Sequence, residues 1–210
     1  MRAWSERILG WIAPNRCPGC GAVTNEPWCA ECGPPEAARE DVTVEGVSVI
    51  ALGVYEGPLA RAIRRFKYEP CPALAQSLAR PLAARLSALP VEDGTVLVPV
   101  PLHRQRLVER GFNQAALIAR ELARATHLPL RAHALVRAKR TDRQATLKRA
   151  LRFENVLGAF ALRSAVTNRV ILVDDVVTTG ATARACIAAL RAGNVAVSAI
   201  AALAVRPAGS

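Results

Sequence analysis

An α/β fold, a mainly parallel sheet covered by helices on both sides, is the architecture that this sequence predicts. Three observations carry it. RVILVDDV at 169–176 has four consecutive apolar residues, Val170 to Val173, the signature of a strand buried on both faces. The amphipathic run ATARACIAALRA (181–192) and a second apolar strand, VAVSAIAALAV (195–205), follow it directly. From residue 96 onward, short apolar strands alternate with helical patterns, as in chains built of strand–helix–strand units.

The remaining elements read in order. Residues 3–13 form a short amphipathic helix within an N-terminal segment 1–14, ahead of a compact module at 15–35. PPEAAREDV resembles a linker, and 36–210 is the main domain. VEGVSVIALGVYEG (44–57) predicts two short strands, or a strand and a turn. PLARAIRRFKY (58–68) opens with proline at a first helical position and predicts a basic helix. A second helix covers 73–89, set apart by Pro70 and Pro72. TVLVPVP is a buried strand running into a loop, and NQAALIARELARA (113–125) is an amphipathic helix. ALVRAK and VLGAFAL read as further strands, and the polar LKRALRFEN lies between them. There is no internal repeat.

Composition narrows the function classes. With 210 residues, 51% of them hydrophobic, the chain can bury one substantial core plus a small appended module. No apolar run reaches about 18 residues, so no membrane span is expected. Glu6 and Arg7 interrupt the only apolar patch near the N-terminus and no small-residue cleavage site follows, so no signal peptide and a cytoplasmic location are expected. Twenty-eight basic residues oppose 17 acidic ones, a formal +11, and residues 104–152 alone carry 13 Arg/Lys against 3 Asp/Glu. Such a segment makes one electropositive region that attracts phosphates.

Four of the six cysteines fall in two CxxC pairs, Cys17/Cys20 and Cys29/Cys32. That spacing brings four thiolates to the corners of a tetrahedron around structural Zn2+, with Gly19, Gly21 and Gly33 where the knuckles need a permissive backbone. Four thiolates and one zinc sum to −2, lowering the formal charge from +11 to about +9. Cys71 and Cys186 stand in apolar surroundings with no histidine beside them and read as small packed hydrophobes.

The chemistry concentrates after the strand at 169–176. Asp174 and Asp175 appear at its carboxyl end, where parallel sheets bind ligands. The loop Val176-Val177-Thr178-Thr179-Gly180-Ala181-Thr182 then opens the next helix, so hydroxyls, a glycine and free helical N–H groups converge on one point, a cradle for phosphate. Two carboxylates beside a phosphate need partners of their own, the hydroxyls of a sugar or a bridging divalent metal. The combination points to a sugar phosphate, and a phosphorylated ribose fits. No lysine follows Gly180, against a nucleoside-triphosphate loop, and no G-x-G-x-x-G follows a strand.

VILVDDVVTTGAT resembles the phosphoribosyl pyrophosphate (PRPP) motif of type I phosphoribosyltransferases. The resemblance implies a Rossmann-type, phosphoribosyltransferase-like domain in which Asp174 and Asp175 hold ribose and the TTGAT loop holds the 5-phosphate. Together with VPVPLHRQRLVERGFNQ (98–114), RAKRTDRQATLKRALRFENVLGAF (137–160) and the double CxxC zinc ribbon, the chain resembles the ComF family of competence-associated proteins over roughly residues 15–205. That resemblance implies a role in DNA uptake and natural transformation, with competence or recombination proteins as partners. It also implies a pyrophosphate loop of Pro101, Leu102, His103 and Arg104, a hood whose Arg137 and Lys139 reach the pyrophosphate, and Mg2+ bound with the diphosphate. Single-stranded DNA is the expected polymer, held by Arg61, Arg64, Arg65, Lys67, Arg106, Arg110, Arg140 and Arg143. Phe66, Tyr68, Phe112 and Phe153 are the aromatics interleaved with these cations. His127 reads as a helix-end residue and His133 as structural, and no residue is identified as a general base or as a selector of an acceptor base. Three functions follow: a competence protein binding PRPP and DNA, an active phosphoribosyltransferase, and a PRPP-sensing adaptor.

Overall fold

The computed structural model describes residues 15–35, 42–69, 72–137, 159–164, 166 and 169–206. The expected N-terminal helix, most of the linker, Cys71, Phe153, and the site candidates Lys139, Arg140 and Arg143 lie outside them.

The strands are β1 (Thr43–Val44), β2 (Val47–Val54), β3 (Thr95–Pro99), β4 (Leu135–Arg137), β5 (Phe160–Leu162), β6 (Arg169–Val177) and β7 (Ala196–Val205). The helices are α1 (Gly57–Tyr68), α2 (Pro72–Ser87), α3 (Arg104–Arg110), α4 (Gln114–Thr126) and α5 (Ala181–Ala192). Five strands make one sheet in the order β1-β2-β7-β6-β3. β2, β7, β6 and β3 run parallel, and β1 folds back antiparallel on β2. The mostly parallel α/β architecture is as the sequence predicts.

Alternation along the strands divides the core in two, because successive side chains point to opposite faces. Leu97, Ile171, Val173, Ala201 and Leu203 pack against α1, α2 and α4. Val96, Val98, Val170, Leu172, Ile200 and Ala202 pack against α5 and the β4–β5 ribbon. A bulge at Ser198 shifts the β6–β7 register, and its hydroxyl donates to the Val170 carbonyl at 3.1 Å.

Two elements differ from the sequence expectation. Among the described residues β4 and β5 pair with each other alone, antiparallel, as a separate ribbon, so they do not extend the parallel pattern. α3 has no buried residue and therefore no apolar periodicity to reveal it. Its ends are fixed locally: His103 Nδ1 accepts from the Gln105 N–H at 3.2 Å, and Gly111 closes it in the left-handed region.

The geometry that opens the site comes from unequal strand lengths. β3 pairs with β6 only as far as Pro99 opposite Val173, after which Pro101 carries no N–H for a ladder. β6 and β7 stay paired on to Val177 and Val205. Residues 174–177 thus lie inside the strand, two residues beyond Asp175, yet project past their neighbour on one side. That step is a crevice at the carboxyl ends of the strands.

The β1–β2 turn braces the far wall of the crevice. Glu45 and Gly46 both have positive φ, as a tight type I′ turn requires. Arg184 of α5 pairs with Glu45 at 2.6 Å, and Arg191 donates to the Glu45 carbonyl at 3.1 Å. The hairpin thereby brings Val44 against Gly180, where an added Cβ would meet Val44 Cγ2 at 2.9 Å. Gly180 also has φ +72° as the N-cap of α5. Gly180→Ala is expected to lower stability by about 1–3 kcal/mol, read as a lower urea midpoint with unchanged slope.

Candidate functional site: an acid pair and a four-thiol cluster joined by one helix

The N-terminal module is two copies of one turn. Gly21 N–H donates to the Cys17 carbonyl at 2.8 Å, and Gly33 N–H donates to the Cys29 carbonyl at 2.9 Å. Both glycines have positive φ, +82° and +63°. Gly19 is needed for another reason, since a Cβ there would lie 3.0 Å from Cys32 Sγ and 3.3 Å from Trp28. The turns place the four Sγ atoms of Cys17, Cys20, Cys29 and Cys32 within 4.8 Å of one another. A tetrahedron with Zn–S bonds of about 2.3 Å has edges of about 3.8 Å, so this donor set fits a structural zinc ion.

α1 seats the module on the domain. Its apolar face, Leu59, Ala62, Ile63 and Phe66, is buried, and Cys17 and Trp28 join the same core. Its basic face is spent mostly on contacts within the chain. Arg61 Nη2 lies 3.7 Å from Cys32 Sγ, and Arg65 Nη1 donates to the carbonyls of Cys17 and Pro18, both at 3.1 Å. Burial pushes the Cys32 thiol up to about 12, opposed by Arg61, so the arginine favours the thiolate that a metal needs.

The same helix reaches the acid pair. Lys67 Nζ stands 3.2 Å from Asp175 Oδ2, both side chains mostly covered. Asp174 accepts the Asp175 backbone N–H on Oδ1 at 2.8 Å. Burial in the strand overhang, with the Asp175 charge second, pushes the Asp174 carboxyl up to about 8, against the pull of Lys67. Beyond the pair, Thr178 and Thr179 are exposed, Thr179 Oγ1 accepts from the Ala181 N–H at 3.4 Å, and Gly180 delivers the chain into α5. Val176, Ala181 and Thr182 line this loop half-buried, while Val177 is buried as the last ladder residue.

On the opposite lip, Pro101 and Leu102 are half-buried, His103 caps α3, and Arg104 is exposed. Arg137, at the end of β4, holds its guanidinium 5.0 Å from the Phe160 ring centroid. Partial burial against that ring lowers its pKa from the ordinary arginine value. The buried Cys186 thiol is pushed up by burial and then by the Asp174 charge, as befits an unreactive thiol packed in the core.

The structure redistributes the basic residues named from sequence. Arg61 and Arg65 hold the cysteine module, Lys67 holds Asp175, and Arg64 is exposed and, among the described residues, bonds its own helix at the Ala60 carbonyl. Arg110 lies against Tyr68. Phe66 is fully buried and packs on Phe112 with ring centroids 6.1 Å apart, so these two rings belong to the core and not to a binding surface. His127 ends α4 with positive φ, as expected, while His133 is exposed. The Lys67–Asp175 pair joins residues far apart in sequence and had no local signal.

A four-thiol module packed on a mostly parallel sheet, with paired acids and a glycine-closed loop at the carboxyl edge, defines an α/β protein carrying an N-terminal cysteine cluster suited to a structural metal. No family model matches the chain. It is 31% identical over 192 residues to Competence protein F of Haemophilus influenzae, covering 81% of this chain and 82% of that protein. It is 34% identical over 177 residues to the DNA utilization protein YhgH of Escherichia coli K12, covering 79% and 73% respectively. To Competence protein ComFC of Bacillus subtilis the identity is 28% over 184 residues, 86% of this chain and 72% of the relative. The chain belongs to the ComF/YhgH/ComFC family. Among the described residues no helix is long and apolar enough to cross a membrane.

Two outcomes follow from this geometry. Cys32→Ser is expected to abolish stoichiometric zinc in elemental analysis and to lower Tm. For Asp174, a carboxyl pKa raised from the ordinary 3.8 to about 8 means the folded state holds a proton that the unfolded state releases between those values. Its contribution to stability is full below about pH 4 and is lost as pH rises towards 8. Asp174→Asn is therefore expected to melt higher than wild type at pH 8, with the gap closing towards pH 4.

Proposed function

We propose that this protein binds PRPP, or a related ribose phosphate, in the crevice between β6 and the β3–α3 loop, and single-stranded DNA on its basic surface, in a DNA-uptake or natural-transformation role. The relatives' names, competence protein and DNA utilization protein, support the biological role. The observation that carries the ligand reading is the overhang of β6: it sets Asp174 and Asp175 beside the loop that turns through Gly180 into α5. The 5-phosphate sits on the Thr178–Thr182 loop, where α5 presents its unpaired N–H groups and the positive end of its dipole. The acid pair takes the two ribose hydroxyls, Asp174 as a donor while it keeps its proton and Asp175 as an acceptor. Mg2+, when bound, neutralises the diphosphate and is held mostly by the ligand and water. Arg104 faces the diphosphate from the α3 side, with the His103 region shaping the turn.

Domain limits follow the same reading: a zinc ribbon at 15–35 joined to a phosphoribosyltransferase-like domain at 36–210. A second reading is transfer of the phosphoribosyl group to an acceptor. Cations on the α3 side of the site, with exposed Arg104 first among them, would stabilise the charge of a departing pyrophosphate, which is most of what displacement at C1 asks of a protein.

Calorimetric titration of Mg2+–PRPP into zinc-loaded protein tests the reading. Saturable binding is expected, lost in Asp174→Asn/Asp175→Asn. Pyrophosphate release on adding an acceptor assigns transfer, and binding without release assigns a binding or sensing role. Wild-type protein that takes no PRPP, with or without single-stranded DNA present, overturns the ribose-phosphate reading.

A further inference from the structure

Tyr68, the last residue of α1, exposes 75% of its surface. Its ring is not loose. Arg110 sets its guanidinium carbon 5.8 Å from the ring centroid, and Arg110 is itself held at 3.3 Å by Gln114 Oε1. Gln114 is 1% exposed, and Thr95 is the only other buried polar side chain among the described residues. Its amide nitrogen donates to the Lys67 carbonyl at 3.4 Å. One buried amide therefore fixes both the cation above the ring and the backbone beside it. A buried polar group carries a desolvation cost that surface decoration does not justify.

The surroundings complete a recognisable chemistry. Arg64 lies one helical turn before Tyr68, on the same face, and is exposed. Neither Arg64 nor Arg110 has an acidic partner within salt-bridge distance among the described residues. An open aromatic face beside two guanidinium groups that lack an acidic partner among the described residues takes a flat π-system attached to phosphate. The position is specific too, because Lys67, the neighbouring residue, pairs with Asp175 of the acid pair.

We propose that Tyr68 and Arg110 form a stacking platform for a nucleobase, set beside the ribose-phosphate crevice, with Arg64 taking the adjoining phosphate. This deepens the proposed function by giving the base a place, and it rests on that reading only for what occupies the crevice. The base comes from a single strand or from a free nucleotide, and the two sources are separable.

The test is fluorescence anisotropy of zinc-loaded, full-length wild type, Tyr68→Ala and Tyr68→Phe. The probes are a labelled oligothymidylate and an abasic strand of equal length and charge. Tyr68→Ala is expected to weaken the thymidine strand about tenfold, the scale of one lost base stack, and the abasic strand by less than about twofold. Tyr68→Phe keeps wild-type binding. Competition by thymidine monophosphate that disappears in Tyr68→Ala assigns the platform to a free nucleotide, and its absence assigns the platform to the strand. Equal effects of Tyr68→Ala on both strands overturn the proposal, as does no effect on either. An oligoglutamate peptide that binds through Tyr68 while the strands do not also overturns it. Wild type that ignores PRPP yet shows the base-dependent loss removes the ribose reading and keeps the platform.

Discussion

The contact on which this molecule depends is the set of bonds that α1 makes along its basic face. Within three turns the helix places Arg61 on a cysteine sulfur, Arg65 on two knuckle carbonyls and Lys67 on Asp175. The apolar stripe of the helix explains why it docks on the sheet, but not why a small module of some twenty residues stays attached to one place on it. Such a module has too little core to fold by burial alone, so metal and neighbour supply the difference. Arg61 has a second electrostatic role: a zinc tetrathiolate would carry −2, and a guanidinium beside one sulfur would offset part of that charge.

The crevice is a product of backbone lengths. Had β3 continued two residues further, its ladder would cover the side of β6 that bears the acids. Prolines at 99 and 101 end it early, while β7 keeps β6 extended from the other side. The far wall depends on a two-residue turn whose arginine clamps come from the very helix that opens at Gly180. Loop, acids and helix are thus positioned by paired backbone and close packing, with little left to side-chain freedom, which suits a site that must present several groups at once.

Much of this was legible in the chain. The strand at 169–176 extends to Val177, and the helices expected at 58–68, 113–125 and 181–192 lie at 57–68, 114–126 and 181–192. Each of these has strong apolar periodicity, which burial enforces. Cysteine spacing exposed the four-thiol cluster because two knuckles of one design need only local sequence. What stayed hidden had no such signal. α3 buries nothing, and β4 and β5 look like any short apolar strands until the fold shows that they pair with each other. The basic run at 61–67 reads as one charged surface, yet a helix turns successive residues through 100° and sends them to three different destinations. Phe66 and Tyr68, two residues apart, part company for the same reason: one ring is buried and the other is largely exposed.

The chain has only three lysines, at positions 67, 139 and 148, and Lys67 is the one among the described residues. Wherever the fold has to be held, arginine does the holding: on the knuckle, on the hairpin and on the platform. The planar fork suits that work because it grips two acceptors and keeps its charge under any condition. At the acid pair the cation is an ammonium on a flexible stem, gripping a single oxygen. Such a contact balances the charge of Asp175 beside an Asp174 that keeps its proton, and a grip on one oxygen costs less to release than a two-pronged fork. The site thereby carries its own exchangeable counterion, and an amine-selective reagent is a reporter of whether that counterion is in place.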